Sequence, residues 1–282
     1  MTVIDGTLKL DPEEARRVRQ ERFERIGRWV LPLAIMILAI WLWDRICVWN
    51  EIPQYILPRP GVVLWTLYND AGLLFSSLLV TLRITFLSLA LAVIGGVGLS
   101  VLFAQSKWVE MSFFPFAIVL QVTPIVAIFP LINIYVNNQT TKLLLCAWIV
   151  AFFPILSNTT LGLNSVDRNL AGLFQLYGAS SVQTLLFLKL PAALPYMLGG
   201  LRIAGGLSLI GAVVAEIAAG SAGAGSGLAF RIAESGYRLL IPRMFAALLL
   251  LSLAGIVIYG SLALISHLLL RRWHESALGK ES

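Results

Sequence analysis

Three ionisable residues lie inside long apolar runs of this chain: Arg83, Arg202 and Glu216. A charge at the centre of a bilayer costs at least about 2.5 kcal/mol, so each needs a partner or water. One chemistry they offer is a polar path across a membrane, with the arginines favouring an anionic solute. The other is structural, with ion pairs and snorkelling side chains fixing helix packing. Arg202 and Glu216 are 14 residues apart, about 21 Å along one helix, so they do not pair within it. Glu216 then needs a donor from another span or from a loop backbone. His267, near the end of the last apolar run, reads as a local hydrogen-bonding group. Cys47 and Cys146 have no metal-ligand spacing and read as small buried hydrophobes. The glycine-rich turn from Gly220 to Gly227 lacks the Gly-Lys-Ser/Thr ending of a phosphate loop and reads as a hinge, with Gly225 and Gly227 as its turn residues. No nucleophile, general base or metal-ligand set has usable spacing. The chain therefore reads as non-enzymatic, with no catalytic residues, no metal and no cofactor of its own.

The elements that must carry these charges are membrane spans. Of 282 residues, 58% are hydrophobic and only 13% charged, against about 25% charged in soluble domains. Apolar runs of about 20 residues recur, enough to cross a hydrocarbon core of about 30 Å. Six spans are expected: Trp29 to Cys47, Leu73 to Phe103, Phe113 to Val136, Leu143 to Leu163, Ala193 to Ala219, and Met244 to Leu270. The second is long enough to tilt. The third carries Pro115, Pro124 and Pro130, which let it bend, and the Gly95-Gly96 pair in the second permits close helix approach. Domain organisation follows as a basic N-terminal helix over residues 1–28, one six-span domain over 29–273 and a tail over 274–282. Asp11-Pro12-Glu13-Glu14 is a helix start, with Glu13–Arg17 and Glu21–Arg25 pairs behind it. No cleavable signal peptide is apparent.

The formal net charge of +6 follows the positive-inside rule better than it fits nucleic-acid binding, because the cations flank apolar spans. With the N-terminus inside, 13 Lys and Arg fall on inner segments and 6 on outer ones. Both termini and the loop over residues 164–195 are then cytoplasmic, and the lipid bilayer is the surrounding medium.

That loop carries a docking feature. Asn164, Ser165, Asp167 and Asn169 are N-cap types ahead of a short helix that shows Leu170, Leu173, Phe174, Leu176 and Tyr177. So short a helix is marginal in water without packing. Gly178 permits a left-handed stop before Ala179, Ser180 and Gln183 fit a capping box for a second helix, and Pro191 after Leu190 is expected to end that helix. The knob either fits a partner's groove or packs on the protein's own inner loops.

The loop resembles the EAA signature of permease subunits of ABC importers: Glu-Ala-Ala, three residues, Gly, nine residues, a hydrophobe, any residue, Leu-Pro. Here Gly178 is followed nine residues later by Leu188-Lys189-Leu190-Pro191. The front of the signature departs, with Gly172, Leu173 and Phe174 in place of Glu-Ala-Ala. Leu57-Pro58-Arg59-Pro60, Arg83, Pro124, Pro130, Gly200-Leu201-Arg202, Ala215-Glu216, Gly225-Ser226-Gly227-Leu228 and Arg272-Trp273 are similar to the nitrate, sulfonate and taurine branch. The resemblance implies an all-α membrane protein of six transmembrane helices with the type I (MetI-like) importer architecture. It also implies a bacterial cytoplasmic (inner) membrane location, two permease copies as a homodimer, cytoplasmic ABC ATPase subunits held at the coupling loop, and an extracytoplasmic solute-binding protein. ATP and Mg would be used by the partner ATPase. The branch handles nitrate, sulfonates such as taurine, bicarbonate, or pyrimidine and vitamin precursors. A secondary transporter or channel acting alone is the rival class. It would need coupling carboxylates, and Glu216 is the one clear intramembrane acid. An integral membrane enzyme would need a catalytic cluster that the inner loops lack.

Overall fold

The computed structural model describes residues 12–220 and 225–271, with backbone only at 12–26, 28 and 29. The sequence readings at Asp11, Gly220 to Gly227 in part, Arg272-Trp273 and the tail lie outside the described residues, as do the side chains of the N-terminal ion pairs. The chain divides into two units, Met1–Trp65 and Thr66–Ser282.

In the first unit, α1 (Pro12–Trp49) is one continuous helix. The apolar stretch Val30–Trp49 is its second half. Beyond α1, Arg59 pairs with Asp44 at 2.9 Å, and the Cys47 thiol donates to the Leu57 carbonyl at 3.7 Å. The unit boundary falls within α2 (Pro60–Asn69).

The second unit holds α3 (Ala71–Gln105), α4 (Lys107–Val122), α5 (Ile125–Tyr135), α6 (Gln139–Leu163), α7 (Arg168–Leu176), α8 (Ser181–Thr184), α9 (Leu190–Ala219), α10 (Leu228–Tyr237) and α11 (Ile241–Leu270). A π-helical turn, Leu185–Lys189, joins α8 to α9. Among the described residues five helical stretches are long and apolar enough to cross a membrane, or six if the bent α4–α5 pair is one span. The third expected span is therefore corrected from one helix to two, bent by 102°. Pro124 is the N-cap of α5 with extended backbone, whereas Pro115 and Pro130 sit inside helices without breaking them. The pair also starts at Lys107 rather than Phe113.

The expected stop at Pro191 is also corrected. Helix runs unbroken from Ser181 to Ala219, 39 residues or about 58 Å. Pro191 falls in the first turn of α9, directly behind the π-turn. The wider turn already departs from the regular ladder there, so a missing N–H is tolerated where a mid-helix proline would break the rod.

In lipid the driving force between helices is packing rather than expulsion of water, and small residues allow backbones to approach. α6 is the central helix, with 61% of its apolar window buried. It lies between α3 and α9. A Cβ at Gly200 would meet the Pro154 carbonyl oxygen at 2.8 Å, and one at Gly211 would meet the Ala147 Cα at 2.8 Å. These two α9 positions are where the α6 backbone comes closest. Buried Ala147, Ala151, Ala204, Ala212 and Ala215 fill the same seam. Gly96 on α3 serves the α3–α6 contact, as the sequence suggests.

Polar ties add to the packing. The Ser100 hydroxyl donates to the Leu156 carbonyl at 3.0 Å and accepts from Thr160 at 3.2 Å, joining α3 to α6. The Ser208 hydroxyl donates to the Thr85 carbonyl at 2.7 Å and lies 2.7 Å from Ser88 Oγ, joining α9 to α3. Lys189 Nζ donates to the Ala104 carbonyl at 3.1 Å. That carbonyl belongs to the last turn of α3, where a cation complements the helix dipole.

Gly200→Ala and Gly211→Ala are each expected to lose about 1–3 kcal/mol by overpacking. Gly98→Ala and Gly206→Ala, whose added Cβ meets nothing within 4 Å, should leave stability unchanged or raise it. Thermal unfolding in detergent micelles separates the two pairs.

Candidate coupling site and buried charges

α7 begins where Asp167 caps it. The carboxylate accepts from the Asn169 amide at 2.7 Å. Asn164, another N-cap candidate, instead ends α6. No residue of α7 is buried. Leu170, Leu173, Leu176 and Tyr177 are all exposed, the last two at 87% and 83%, while Phe174 is half-buried. Leu170, Leu173 and Tyr177 follow i, i+3, i+7 spacing, so one helix face is apolar and uncovered in this chain. Packing of the knob on the protein's own loops is not what the structure shows.

The end of α7 is a Schellman motif. The Ala179 amide donates to the Phe174 carbonyl at 2.9 Å and the Gly178 amide to the Gln175 carbonyl at 3.0 Å, with Gly178 at φ 69°. Ser180 and Gln183 then form the expected capping box, at 3.2 and 2.8 Å. Leu190 and Pro191 lie beyond it in the continuous helix, so the loop proper ends at Ser180. At Gly172 an added Cβ meets nothing within 4 Å, and a shallow concavity runs along Arg168, Gly172 and Gln175. Crowding is not what keeps a glutamate from this position.

The three membrane charges do not converge. Arg83 lies on the exposed stripe of α3, flanked at helical spacing by exposed Leu79, Phe86 and Leu87. Arg202 is half-buried, and its Nε has no hydrogen-bond partner among the described residues. Glu216 is 3% exposed. Its Oε2 accepts from the Thr81 hydroxyl at 3.1 Å and from the Ala229 amide at 3.0 Å. Thr81 in turn accepts from the Leu228 amide at 2.8 Å. Both kinds of donor expected from the sequence, another span and a loop-proximal backbone, are present. The Leu228 and Ala229 amides open α10, whose first N–H groups have no intrahelical acceptor and carry the positive dipole end. Oε2 of the buried carboxylate has two donors there, while Oε1 has no hydrogen-bond partner among the described residues.

Gly227 lies where the chain passes close against the Glu216 carboxylate. Its backbone is extended, at φ −77° and ψ 176°, and a Cβ there would fall on the Glu216 carboxylate. Gly225 is exposed and has open space around it. α10 is also held by Arg231, whose Nε donates to Ser77 Oγ at 3.2 Å and whose guanidinium pairs with Glu234 at 2.8 Å. Arg243 pairs with Asp70 at 2.6 Å, joining the starts of α11 and α3. A search for intramembrane charge alone passes over Ser77, Thr81, Thr85 and Ser88. Their spacing of four, four and three marks a small-polar stripe on one face of α3, and all four are buried.

α10 ends in the same motif as α7. The Leu240 amide donates to Ser235 at 2.9 Å and the Leu239 amide to Gly236 at 3.2 Å. The left-handed position is here Leu239, at φ 56° and 68% exposed, beside Tyr237 at 90%.

Residues 92–271 match the family model described as binding-protein-dependent transport system inner membrane component. The chain belongs to that family. It is 32% identical to the riboflavin transport system permease protein RibX of Chloroflexus aurantiacus, over 92% of this chain and 96% of that one. It is also 32% identical to the formylaminopyrimidine transport permease protein ThiX of Halalkalibacterium halodurans, over 84% and 92%. Permease proteins named for aliphatic sulfonates, nitrate and taurine align as well, which supports the branch read from the motifs. A crystal structure of an amino acid ABC transporter with histidines superposes with a TM-score of 0.60 at 18% identity, covering 72% of this chain and 96% of that one. The fold is that of a type I ABC importer permease, and the chain is a multi-pass transport subunit of the inner membrane.

Gly178→Ala is expected to cost about 1 kcal/mol, because a side chain is strained in the left-handed region, and Leu239→Gly to gain a similar amount. Opposite shifts of the unfolding midpoint check both.

Proposed function

We propose that this permease forms the translocation path of an ABC importer as a homodimer, with both termini in the cytoplasm and α7 seated in a groove of a cytoplasmic ATPase. The uncovered apolar face of α7, Leu170, Leu173 and Tyr177, is the observation that carries this reading. It is mounted between two satisfied caps, Asp167 and the Gly178 turn, so little order is lost on docking. Because Gly172 takes the place of the family carboxylate, the contact rests on shape and apolar area. ATP and Mg are used by the ATPase. A solute-binding protein delivers the solute at the opposite face, where Tyr237 is exposed. Closure of the ATPase pair brings the two α7 helices together, and the spans tilt as rigid bodies between inward- and outward-facing states.

The solute is a small anion of the nitrate, sulfonate or taurine kind. Arg83, on an exposed α3 face, and Arg202, with an unpartnered Nε, are the groups that favour negative charge along the path. A pyrimidine or vitamin precursor is the second reading. It is favoured by the names of two relatives at 32% identity, which concern riboflavin and formylaminopyrimidine. Calorimetric titration of the solute-binding protein that partners this permease, with taurine, nitrate, riboflavin and formylaminopyrimidine in turn, decides between them.

Leu173→Asp combined with Tyr177→Asp is expected to abolish ATPase co-purification, since aromatic and aliphatic anchors carry about 2 kcal/mol or more each. The fold should survive, because neither side chain is buried. An intact complex from that variant refutes the docking role. Labelling of Tyr177→Cys from the external side refutes the orientation.

A further inference from the structure

We infer that Glu216 is a positioning residue that latches α10 to the end of α9, so that a load taken at the Tyr237–Leu239 tip reaches the α7 loop through one continuous helix.

The latch is a three-element junction. Glu216 belongs to α9, three residues from its end. Thr81 belongs to α3, and the Leu228 and Ala229 amides open α10. One buried carboxylate oxygen accepts from two of these elements, and Thr81 passes the third contact on. Charge-assisted bonds to a helix N-terminus in a water-poor site are stronger than neutral ones. Gly227 is required because any side chain there would displace the carboxylate. Arg231 holds the next turn of α10 to α3 through Ser77. α10 is thus tied by hydrogen bonds to α3 and α9 at its first turns and packs along α11, while Tyr237, Arg238, Leu239 and Leu240 at its far end are exposed.

That far end is built at a cost. Leu239 occupies a left-handed position where glycine is the low-energy residue, and its side chain projects outward beside Tyr237. Outliers of this kind are kept where the side chain has a use. From the latch, α9 continues through the π-turn to Ser181, three residues from the end of the Gly178 turn. Lys189 fastens its other end to α3. The tip and the α7 loop are therefore joined by one rod tied to α3 at both ends. The transmitting role rests on the proposed docking at α7, whereas the latch does not.

The first measurement is hydrogen exchange on the full chain in nanodiscs, following peptides that cover Leu228–Tyr237. Glu216→Ala is expected to speed exchange in the first turn of α10 roughly tenfold, the scale of a lost cap. Thr81→Val should act in the same direction, and Glu216→Gln should restore part of the protection. Gly227→Ala should loosen α10 alone yet add nothing in the Glu216→Ala background, because the clash partner is gone. Wild-type protection in Glu216→Ala and Thr81→Val, or a fully additive double variant, overturns the latch. The second measurement is ATP turnover of the complex reconstituted with its ATPase and binding protein. Glu216→Ala is expected to keep the ATPase bound and to lose most of the stimulation by binding protein. Full stimulation with a loosened α10 overturns the transmission. If the wild-type chain retains no ATPase, the proposed function fails while the exchange result on the latch still stands.

Discussion

The close approach of α6 and α9 is the constraint on which the rest of the second unit depends. At Gly200 and Gly211 a single methyl group would meet a backbone carbonyl oxygen or Cα atom of α6 at 2.8 Å. Lipid supplies no hydrophobic drive between helices, so contact must come from backbones that can touch. Once α9 is seated, its polar groups find partners on α3 at fixed heights. Lys189 meets Ala104, Ser208 meets Thr85 and Ser88, and Glu216 meets Thr81. Shifting α9 by one residue would unmatch every one of these, so small residues and hydrogen bonds specify the same register.

Ionisable groups in the membrane divide by burial. Glu216 is enclosed and has donors on two elements, which is the arrangement of a structural group. Arg83 is exposed and Arg202 half-buried, so neither is enclosed as Glu216 is. The sequence presents all three as equals because hydropathy registers only that a charge interrupts an apolar run. Which side of a helix faces the bundle depends on the neighbours, and that information is tertiary.

Much of the architecture was legible. Apolar runs located most span ends to within a few residues, since a bilayer demands length and little else, but the starts at Lys107 and Ser181 lie well ahead of the expected Phe113 and Ala193. The caps of the α7 loop were readable because capping is local chemistry: Asp167, Gly178, Ser180 and Gln183 act on amides at most a few residues away. The misreadings share a cause. Pro124 breaks its span, Pro115 and Pro130 do not, and Pro191 is absorbed beside a π-turn. Ring geometry is the same in all four, and what differs is whether the surrounding turn can forgo a hydrogen bond. Gly227 looked like a hinge for the same reason. Glycine signals either freedom or tight quarters, and only the Glu216 carboxylate 11 positions earlier in the chain tells which.

The wide turn at Leu185–Lys189 gives the long rod one residue of slack. Tightening it into a regular α-helical turn would rotate everything on its Ser181 side by about 100° about the rod axis and shift it by about 1.5 Å. The apolar edge of α7 would then point in a new direction while α9 kept its seat against α6. The register of that turn therefore sets the direction in which the α7 face is presented.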